Sequence, residues 1–243
     1  MIADIRVVMW KEWKEIMSGG GSRGKMGVFI FVGILGIFLP LQMGRVTVES
    51  PIMLAYWTWV PLFLVSSVIA DSFAGERERH TLETLLASRL SDRAILFGKV
   101  GAAMGYGIIL TWLSLLLGLV TVNIAFGQSE LLFYSATMGL GIVVLSLLGA
   151  GLASGAGVLI SLRAATARQA QQTLSLAMMI LFFVPTFGVQ ALPEEWRARL
   201  FETFMAMDIT GLVVTAMVIL AVLNVGLLVA AMGRFRRARL ILQ

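Results

Sequence analysis

The hydrophobic positions of this chain fall into six long apolar stretches that alternate with shorter polar segments. A helix needs about 20 apolar residues to cross the hydrocarbon core of a bilayer, and each stretch is close to that length or longer. We therefore predict six membrane-spanning helices, at residues 27–43, 52–70, 100–126, 131–162, 174–192 and 209–232. Pro40 is expected to end the first of them, because proline removes a backbone donor and clashes with the preceding turn.

Residues 1–26 precede the first span and are predicted to form an amphipathic helix followed by a linker. The residues on the apolar face of that helix are Ile5, Met9, Trp13 and Ile16. A helix of this kind lies along a membrane surface with its tryptophans at headgroup level. The run S-G-G-G-S-R-G-K at 18–25 has the composition of a flexible linker. It also has the spacing G-x-x-x-x-G-K of a phosphate-binding loop, but Met26 stands where that motif needs a hydroxyl, so no nucleotide site is predicted.

A second amphipathic segment, residues 193–208, separates the last two spans. It begins with Pro193 and two glutamates, which are favourable in the first turn of a helix. The apolar side chains Trp196, Leu200 and Phe204 then recur every four residues. We predict a short helix that lies against the outer face of the membrane domain.

Composition supports the membrane assignment, and the basic residues orient it. The chain is 58% hydrophobic and 14% charged, against about 25% charged residues in soluble domains. With both termini in the cytoplasm, sixteen of the 19 Lys and Arg residues face inward and the other three face outward. Because cytoplasmic loops carry the excess of positive charge, we predict a multi-pass protein of the cell (inner) membrane with both termini cytoplasmic. The net charge of +5 follows from this topology, so we predict contact with membrane lipid and no nucleic-acid partner.

Most catalytic chemistry is excluded by what the sequence lacks. There is no cysteine, and His80 is the single histidine, so thiolate nucleophiles and histidine-rich metal sites are excluded. No predicted span has Asp, Glu, Lys or Arg in its middle, whereas ion-driven carriers usually need such groups. Ser154 has no histidine facing it for serine-protease chemistry. We predict no catalytic residue, metal or cofactor in this chain, and an energy source in another polypeptide.

The longest polar segment between spans, residues 71–99, contains five basic and five acidic residues and must lie in water. Within it Leu82, Leu85 and Leu86 are spaced i, i+3, i+4, which places three leucines on one side of a short helix. Charged residues crowd the turn before that helix. The pattern predicts a docking surface with a charged rim and an apolar stripe.

The sequence of this segment resembles a family of transport proteins. Residues 73–99, F-A-G-E-R-E-R-H-T-L-E-T-L-L-A-S-R-L-S-D-R-A-I-L-F-G-K, are similar to the segment between membrane helices two and three in the permease subunits of type-2 ABC exporters. The family pattern is roughly S-F-x-x-E-+-E-x-G-T-L-E-x-L-L, then a small or proline residue, a serine, a basic residue and I-L-x-G-K. The chain departs from this pattern at His80, where glycine is usual, and at Arg89 and Leu90, where proline is common.

The resemblance implies that residues 81–87 form a coupling helix seated in a separate ATP-binding cassette ATPase subunit, which binds ATP and Mg²⁺. The N-terminal helix would rest on the same subunit. The residues expected at this contact are Glu76, Arg77, Glu78, Thr81, Leu82, Glu83, Leu85, Leu86 and Arg89. The resemblance also implies a second permease, identical or related, because two ATPases close around ATP and pull on two coupling loops.

Spans two and five are predicted to line a substrate path. The aromatic and polar residues assigned to it are Trp57, Trp59, Phe63, Phe182, Phe183, Thr186 and Phe187. The alternative is that these side chains face lipid or the core, with the tryptophans as interfacial anchors. The small residues of span four, G-A-G-L-A-S-G-A-G at 149–157, favour close helix packing, either within the bundle or at a subunit interface.

We therefore predict an all-α polytopic membrane protein that serves as the permease subunit of an ATP-driven exporter. Residues 1–243 form one transmembrane domain, divided into 1–26 (surface helix and linker), 27–70 (spans one and two), 71–99 (coupling loop), 100–192 (spans three to five), 193–208 (outer helix) and 209–243 (span six and basic tail). Two alternatives stay open: a non-transporting ABC-like module that signals or tethers, and a haem or cofactor-assembly permease.

Overall fold

The computed structural model describes residues 1–19, 21–128, 130–206 and 208–235. In this part of the chain every regular element is helical. In chain order the elements are α1 (Ile2–Gly19), α2 (Gly21–Gly33), a π-helical segment (Ile34–Phe38), α3 (Leu39–Met43), α4 (Val46–Glu49), α5 (Ile52–Ile69), α6 (Asp71–Glu78), α7 (Leu82–Ala87), α8 (Asp92–Phe126), α9 (Ala136–Ser161), α10 (Ala167–Gln190), α11 (Glu194–Ala206) and α12 (Ile209–Arg234).

Six helical stretches of the described chain are long and apolar enough to cross a membrane, which confirms the predicted fold class. Span 1 runs over Met26–Met43, and spans 2 to 6 are built on α5, α8, α9, α10 and α12. Spans 2 and 4 are the most buried and pack against each other, with α8 against span 2 and α12 against span 4. The bundle is therefore organised around the α5–α9 pair.

Several predicted boundaries are wrong at the ends of the spans. α8 begins at Asp92 instead of residue 100 and α10 at Ala167 instead of residue 174, whereas α9 begins later, at Ala136 instead of residue 131. The 35 residues of α8 correspond to about 52 Å of helix, more than the roughly 30 Å hydrocarbon core. Hydropathy marks where a helix enters the membrane, but the helix itself extends into the polar segment beyond.

Pro40 is expected to end the helix of span 1, but the helix continues through it to Met43. Pro40 cannot donate to the carbonyl of Gly36 four residues earlier. That carbonyl instead accepts a hydrogen bond of 2.8 Å from the Thr121 hydroxyl on α8, and the π-helical segment lies just before the proline. A neighbouring helix has thus replaced the lost backbone bond, and the turn comes at Gly44, whose φ is +60°.

The predicted flexible linker at 18–25 is also different in the structure. α1 continues to Gly19 and α2 begins at Gly21, with Gly20 outside the described residues. Helical structure therefore extends into the glycine-rich run from both sides. Of the predicted outer helix, α11 is present, but Trp196 is 60% exposed and Phe204 has its side chain outside the described part, so packing against the membrane domain is not seen.

The small residues of span 4 face other helices of the same chain. A Cβ atom on Gly149 would lie 2.6 Å from the carbonyl oxygen of Thr58 in span 2, and one on Gly157 would overlap Ile69 of the same span. On another side of α9, Gly151 and Gly155 face Asn224 and Leu227 of span 6. The prediction of close packing within the bundle is confirmed, because these glycines are already covered inside one chain.

We expect Gly149→Ala to destabilise the bundle by about 1–3 kcal/mol, because the added methyl group meets backbone rather than a side chain that could move away. Gly226→Ala in span 6 is the matched control, since nothing lies within 4 Å of a Cβ there, and alanine in a helix is favoured by up to about 1 kcal/mol. Thermal unfolding in detergent measures both. Equal melting temperatures for the two variants would contradict the packing described.

Candidate functional site

The polar segment 71–99 contains the short helix predicted at 81–87, and it is helical on both sides of that helix as well, with two sharp breaks. α6 continues from span 2 almost without interruption, α7 is a separate short helix, and α8 starts at Asp92. The first break is a Schellman turn, in which the Thr81 amide donates to the Glu76 carbonyl at 2.9 Å and the His80 amide donates to the Arg77 carbonyl at 3.1 Å. The second break ends at Ser91, whose hydroxyl caps α8 by accepting from the Ala94 amide at 3.2 Å.

His80 occupies the position of the Schellman turn that normally takes glycine. Its φ is +57°, a left-handed conformation that costs non-glycine residues about 1–2 kcal/mol. The family pattern has glycine at this position, and the left-handed backbone conformation explains why glycine is favoured there. The entry into α7 is retained because histidine tolerates this conformation better than most residues.

We predict the order of stability Gly, His, Val at position 80. His80→Gly should be neutral or raise stability by up to about 1 kcal/mol, whereas His80→Val should lower it by about 1–2 kcal/mol, because a β-branched side chain is poorly tolerated at positive φ. Thermal unfolding of the three proteins checks the order. A valine variant as stable as the glycine variant would contradict it.

A buried cluster of opposite charges joins three elements next to this turn. The ammonium of Lys99 on α8 lies 2.7 Å from Glu12 Oε1 on α1 and 3.2 Å from Glu76 Oε1 on α6. Lys11 on α1 lies 3.0 Å from the same oxygen of Glu76. Lys99 is 1% exposed and Glu76 is 4% exposed, and the Lys99 ammonium also lies 5.5 Å from the centre of the Phe73 ring. The charges are paired among themselves, with Lys99 and Glu76 buried and Lys11 at the exposed edge of the cluster.

α1 reaches this cluster because α8 presents small residues to it. A Cβ on Gly98 would overlap Val8, and Gly101 and Gly105 face Met9 and Trp13. The glycines allow the two helix backbones to approach closely, in the way that small residues do in membrane bundles. The apolar face of α1 therefore packs on the first turns of α8 and carries Glu12 to Lys99.

Within the cluster, attraction between opposite charges outweighs the cost of burying them. Burial disfavours the charged form of Lys11, but hydrogen bonds and charge from Glu76, Glu12 and Glu15 outweigh that effect and raise the pKa of Lys11 above its ordinary value. The carboxylates of Glu12, Glu15 and Glu76 are close enough together to hold a metal ion. The ammonium groups of Lys11 and Lys99 neutralise two of these three carboxylates, and the third, Glu15, is exposed to solvent.

Two further contacts hold α6 on the bundle. Arg77 donates to the carbonyl of Leu162 at 3.0 Å, at the end of α9. The Ser161 hydroxyl donates to the Ala70 carbonyl at 2.8 Å and accepts from the amides of Phe73 and Ala74. α6 is therefore fixed to span 4 as well as to α8.

Glu78 contacts a different helix. Its carboxylate accepts from the Ala167 amide at 3.0 Å, in the first turn of α10. An acidic group is favourable at a helix N-terminus. α6 is thus attached to the start of span 5.

The structure revises which residues of this segment are available to a partner. Leu82 is 7% exposed and belongs to the core of the bundle, and Leu85 packs against the same core; the side chain of Leu86 lies outside the described part. Glu76 and Arg77 are also engaged within the chain. The exposed side chains predicted at the contact are Glu78, Thr81, Glu83 and Arg89. An amphipathic stripe shows that a helix has an apolar side, but not which neighbour covers it.

A cleft of about 1360 Å³ lies between α1 and α7. Its polar wall includes Glu15 and Ser18 of α1 and Thr84 of α7, and its apolar wall includes Val28 and Val68 of the first two spans. It exceeds the roughly 300–1,000 Å³ of most small-molecule pockets. The charged side chains Lys11, Glu12, Glu76 and Lys99 also line this cleft, so the cluster borders open space.

The comparison with known families now identifies the chain. A family model described as "ABC-2 family transporter protein" matches residues 40–233, which is most of the sequence. The chain belongs to the ABC-2 transporter family. It is therefore a membrane transport component, a permease, and permeases of this family typically work with an ATPase subunit. A comparison with curated proteins gives no match.

The aromatic residues predicted along the substrate path of the permease are only partly together. Ring centroids are 5.2 Å apart for Trp59 and Phe182, 5.3 Å for Phe182 and Phe183, and 5.5 Å for Phe183 and Phe187. These contacts form one aromatic row, Trp59–Phe182–Phe183–Phe187, that connects spans 2 and 5.

The other residues assigned to the path are not in that row. Trp57 is 1% exposed and lies in a core to which spans 1, 2, 3, 4 and 6 contribute, whereas Phe63 is 65% exposed. The side chain of Thr186 lies outside the described residues. The row itself therefore consists of four aromatic side chains.

Sequence reasoning missed Glu12, Ser161 and the role of Lys99. Glu12 and Lys99 are 87 positions apart, and Ser161 and Ala70 are 91 apart, so no local pattern relates them. The available signal was the position of Lys99 itself, a charged residue at the predicted edge of a membrane span, where an intramembrane or near-membrane charge calls for a partner.

Proposed function

We propose that the permease forms the substrate path of an ATP-driven exporter and that a separate cytoplasmic ATPase subunit, which binds ATP and Mg²⁺, powers it. The observation that supports this proposal most strongly is the placement of α7. It is a six-residue helix at one end of the bundle, and the polar side chains of Glu83 and Thr84 are exposed on it. A helix whose apolar side is held by its own bundle can transmit a push or pull without detaching.

The ATPase would contact the polar side of α7 and the cleft next to it. Glu83 and Arg89 are exposed at this end and carry opposite charges, which favours a partner surface with a complementary pattern. Glu15 on α1 lies across the cleft. Both the coupling helix and the N-terminal helix would then touch the same subunit.

We expect the double charge reversal Glu83→Lys/Arg89→Glu to weaken capture of the ATPase roughly tenfold, equivalent to about 1.4 kcal/mol, because both rim charges would face like charges. The measurement is recovery of an ATPase with the detergent-solubilised permease from its native membrane.

The matched control is Glu202→Lys/Arg199→Glu, which reverses the same pair of charges on exposed positions of α11. It should recover as much ATPase as the wild type. The proposed function fails if the wild type recovers no ATPase, and the docking surface is misplaced if the α7 variant recovers a full amount.

The proposed assembly contains two permeases and two ATPases. Closure of two ATPases around ATP requires two coupling helices, so a second permease, identical or related, would stand beside the first. Both termini and α7 would lie in the cytoplasm, as the distribution of Lys and Arg favours. The two bundles would rock as rigid bodies and change access to a path between them.

The aromatic row is our proposed lining for part of that path. We expect Phe182→Ala and Phe183→Ala to reduce efflux of a fluorescent amphiphile while the permease still assembles with its ATPase, because both changes remove large contact surfaces. Phe133→Ala is the control, since Phe133 is exposed outside the spans. Unchanged efflux by assembled Phe182 and Phe183 variants would contradict this lining.

A further inference from the structure

A continuous set of polar contacts runs from α7 to α1 through the buried cluster. The hydroxyl of Thr81, the N-cap residue of α7, donates to one carboxylate oxygen of Glu76 on α6. The other oxygen of Glu76 accepts from Lys99 on α8 at 3.2 Å, and Lys99 donates to Glu12 on α1 at 2.7 Å. Every contact in this set joins two different elements, so four elements are linked in series.

Stability alone does not explain charged residues in this position. Apolar side chains of similar volume are often as stable as a buried ion pair, or more stable. An ion pair adds a fixed geometry, because separating its members leaves a largely buried charge without its partner. Helices held only by apolar contacts can slide past each other by small steps.

The turn at 79–81 is where such a linkage is needed. It is a single Schellman turn around His80, and a displacement of α7 could be taken up there by a change in a few backbone angles. The bond from the Thr81 hydroxyl to Glu76 holds that turn closed on the side of α7, and the pair from Glu76 to Lys99 continues from it to α8.

We propose that Lys99 is a positioning residue that holds α1, α6 and the first turns of α8 as one rigid unit, through which movement of α7 reaches span 3. This inference rests on the proposed function, because the ATPase is what moves α7. The chain itself joins α7 to α8 through residues 88–91, and the cluster adds a second connection, through α6 and α1, that fixes the first turns of α8 against both helices.

The test measures the distance between α1 and α8 while ATP drives the complex. The chain has no cysteine, so spin labels can be attached at Val7→Cys and Leu113→Cys, both exposed positions. Distances are recorded in the complex of permease and ATPase, without nucleotide and with ATP trapped by vanadate. In the wild type we expect the distance between the two labels within one permease, isolated by mixing labelled with excess unlabelled permease, to be narrow and unchanged on trapping.

The decisive variant is Glu12→Gln/Glu76→Gln/Lys99→Met, which removes the ion pairs without leaving a buried charge unpaired. We expect its melting temperature to stay near that of the wild type and its ATP hydrolysis to persist, while the distance distribution widens or splits when ATP is trapped. Lys99→Met alone should instead lower the melting temperature, because Glu12 and Glu76 lose their buried partner and two carboxylates then share the half-exposed Lys11. Arg163→Met, which removes an exposed charge of another loop, should behave as the wild type in every measurement.

Each outcome separates this inference from the proposed function. If the wild type recovers no ATPase, the proposed function fails and this inference falls with it. If the ATPase binds but the triple variant keeps a single unchanged distance on trapping, the cluster is not the linkage and only this inference is overturned. A wild-type distance that itself changes on trapping overturns it as well, because α1 and α8 would not be one unit.

Discussion

An ammonium group that has left water must be surrounded by carboxylates, and that constraint determines how this end of the permease is built. Lys99 is paired with both Glu12 of α1 and Glu76 of α6, so its ammonium group is fully surrounded only when both helices are in place on α8. Removing α1 would take away Glu12 and would expose the remaining Lys99–Glu76 pair to the space that α1 fills. The N-terminal helix is therefore part of the folded bundle and not an accessory on its surface.

The close helix contacts that permit this arrangement depend on small residues. Gly98 lets α1 approach α8, and Gly149 and Gly157 let span 2 approach span 4. Where proline interrupts a backbone bond in span 1, Thr121 of span 3 supplies a donor. In a membrane, where water cannot satisfy a freed carbonyl, such side-chain bonds and close contacts keep each span in one position. Because these contacts hold the spans in fixed positions relative to each other, the bundle is suited to move as a rigid body.

The spans could be predicted from the sequence because length and hydropathy are local properties. The close packing of span 4 could also be predicted, since the spacing of small residues is visible along the chain. The partners of Lys99 could not, because they are brought together by the tertiary fold, and neither could the side of α7 that faces the bundle. The left-handed turn at His80 was partly predictable. The family pattern showed that glycine is usual at this position, but the structure shows why, because the residue there has a φ of +57°.

α6 connects the coupling region to two spans through neighbouring carboxylates. Glu76 is paired with Lys99 at the start of span 3, and Glu78 accepts from the first turn of span 5. Because these residues are two positions apart on one short helix, they cannot move independently of each other. In the proposed mechanism a displacement of α7 would therefore reach span 3 and span 5 together. Span 5 carries three of the four rings in the aromatic row, so the same displacement would reach the proposed substrate path.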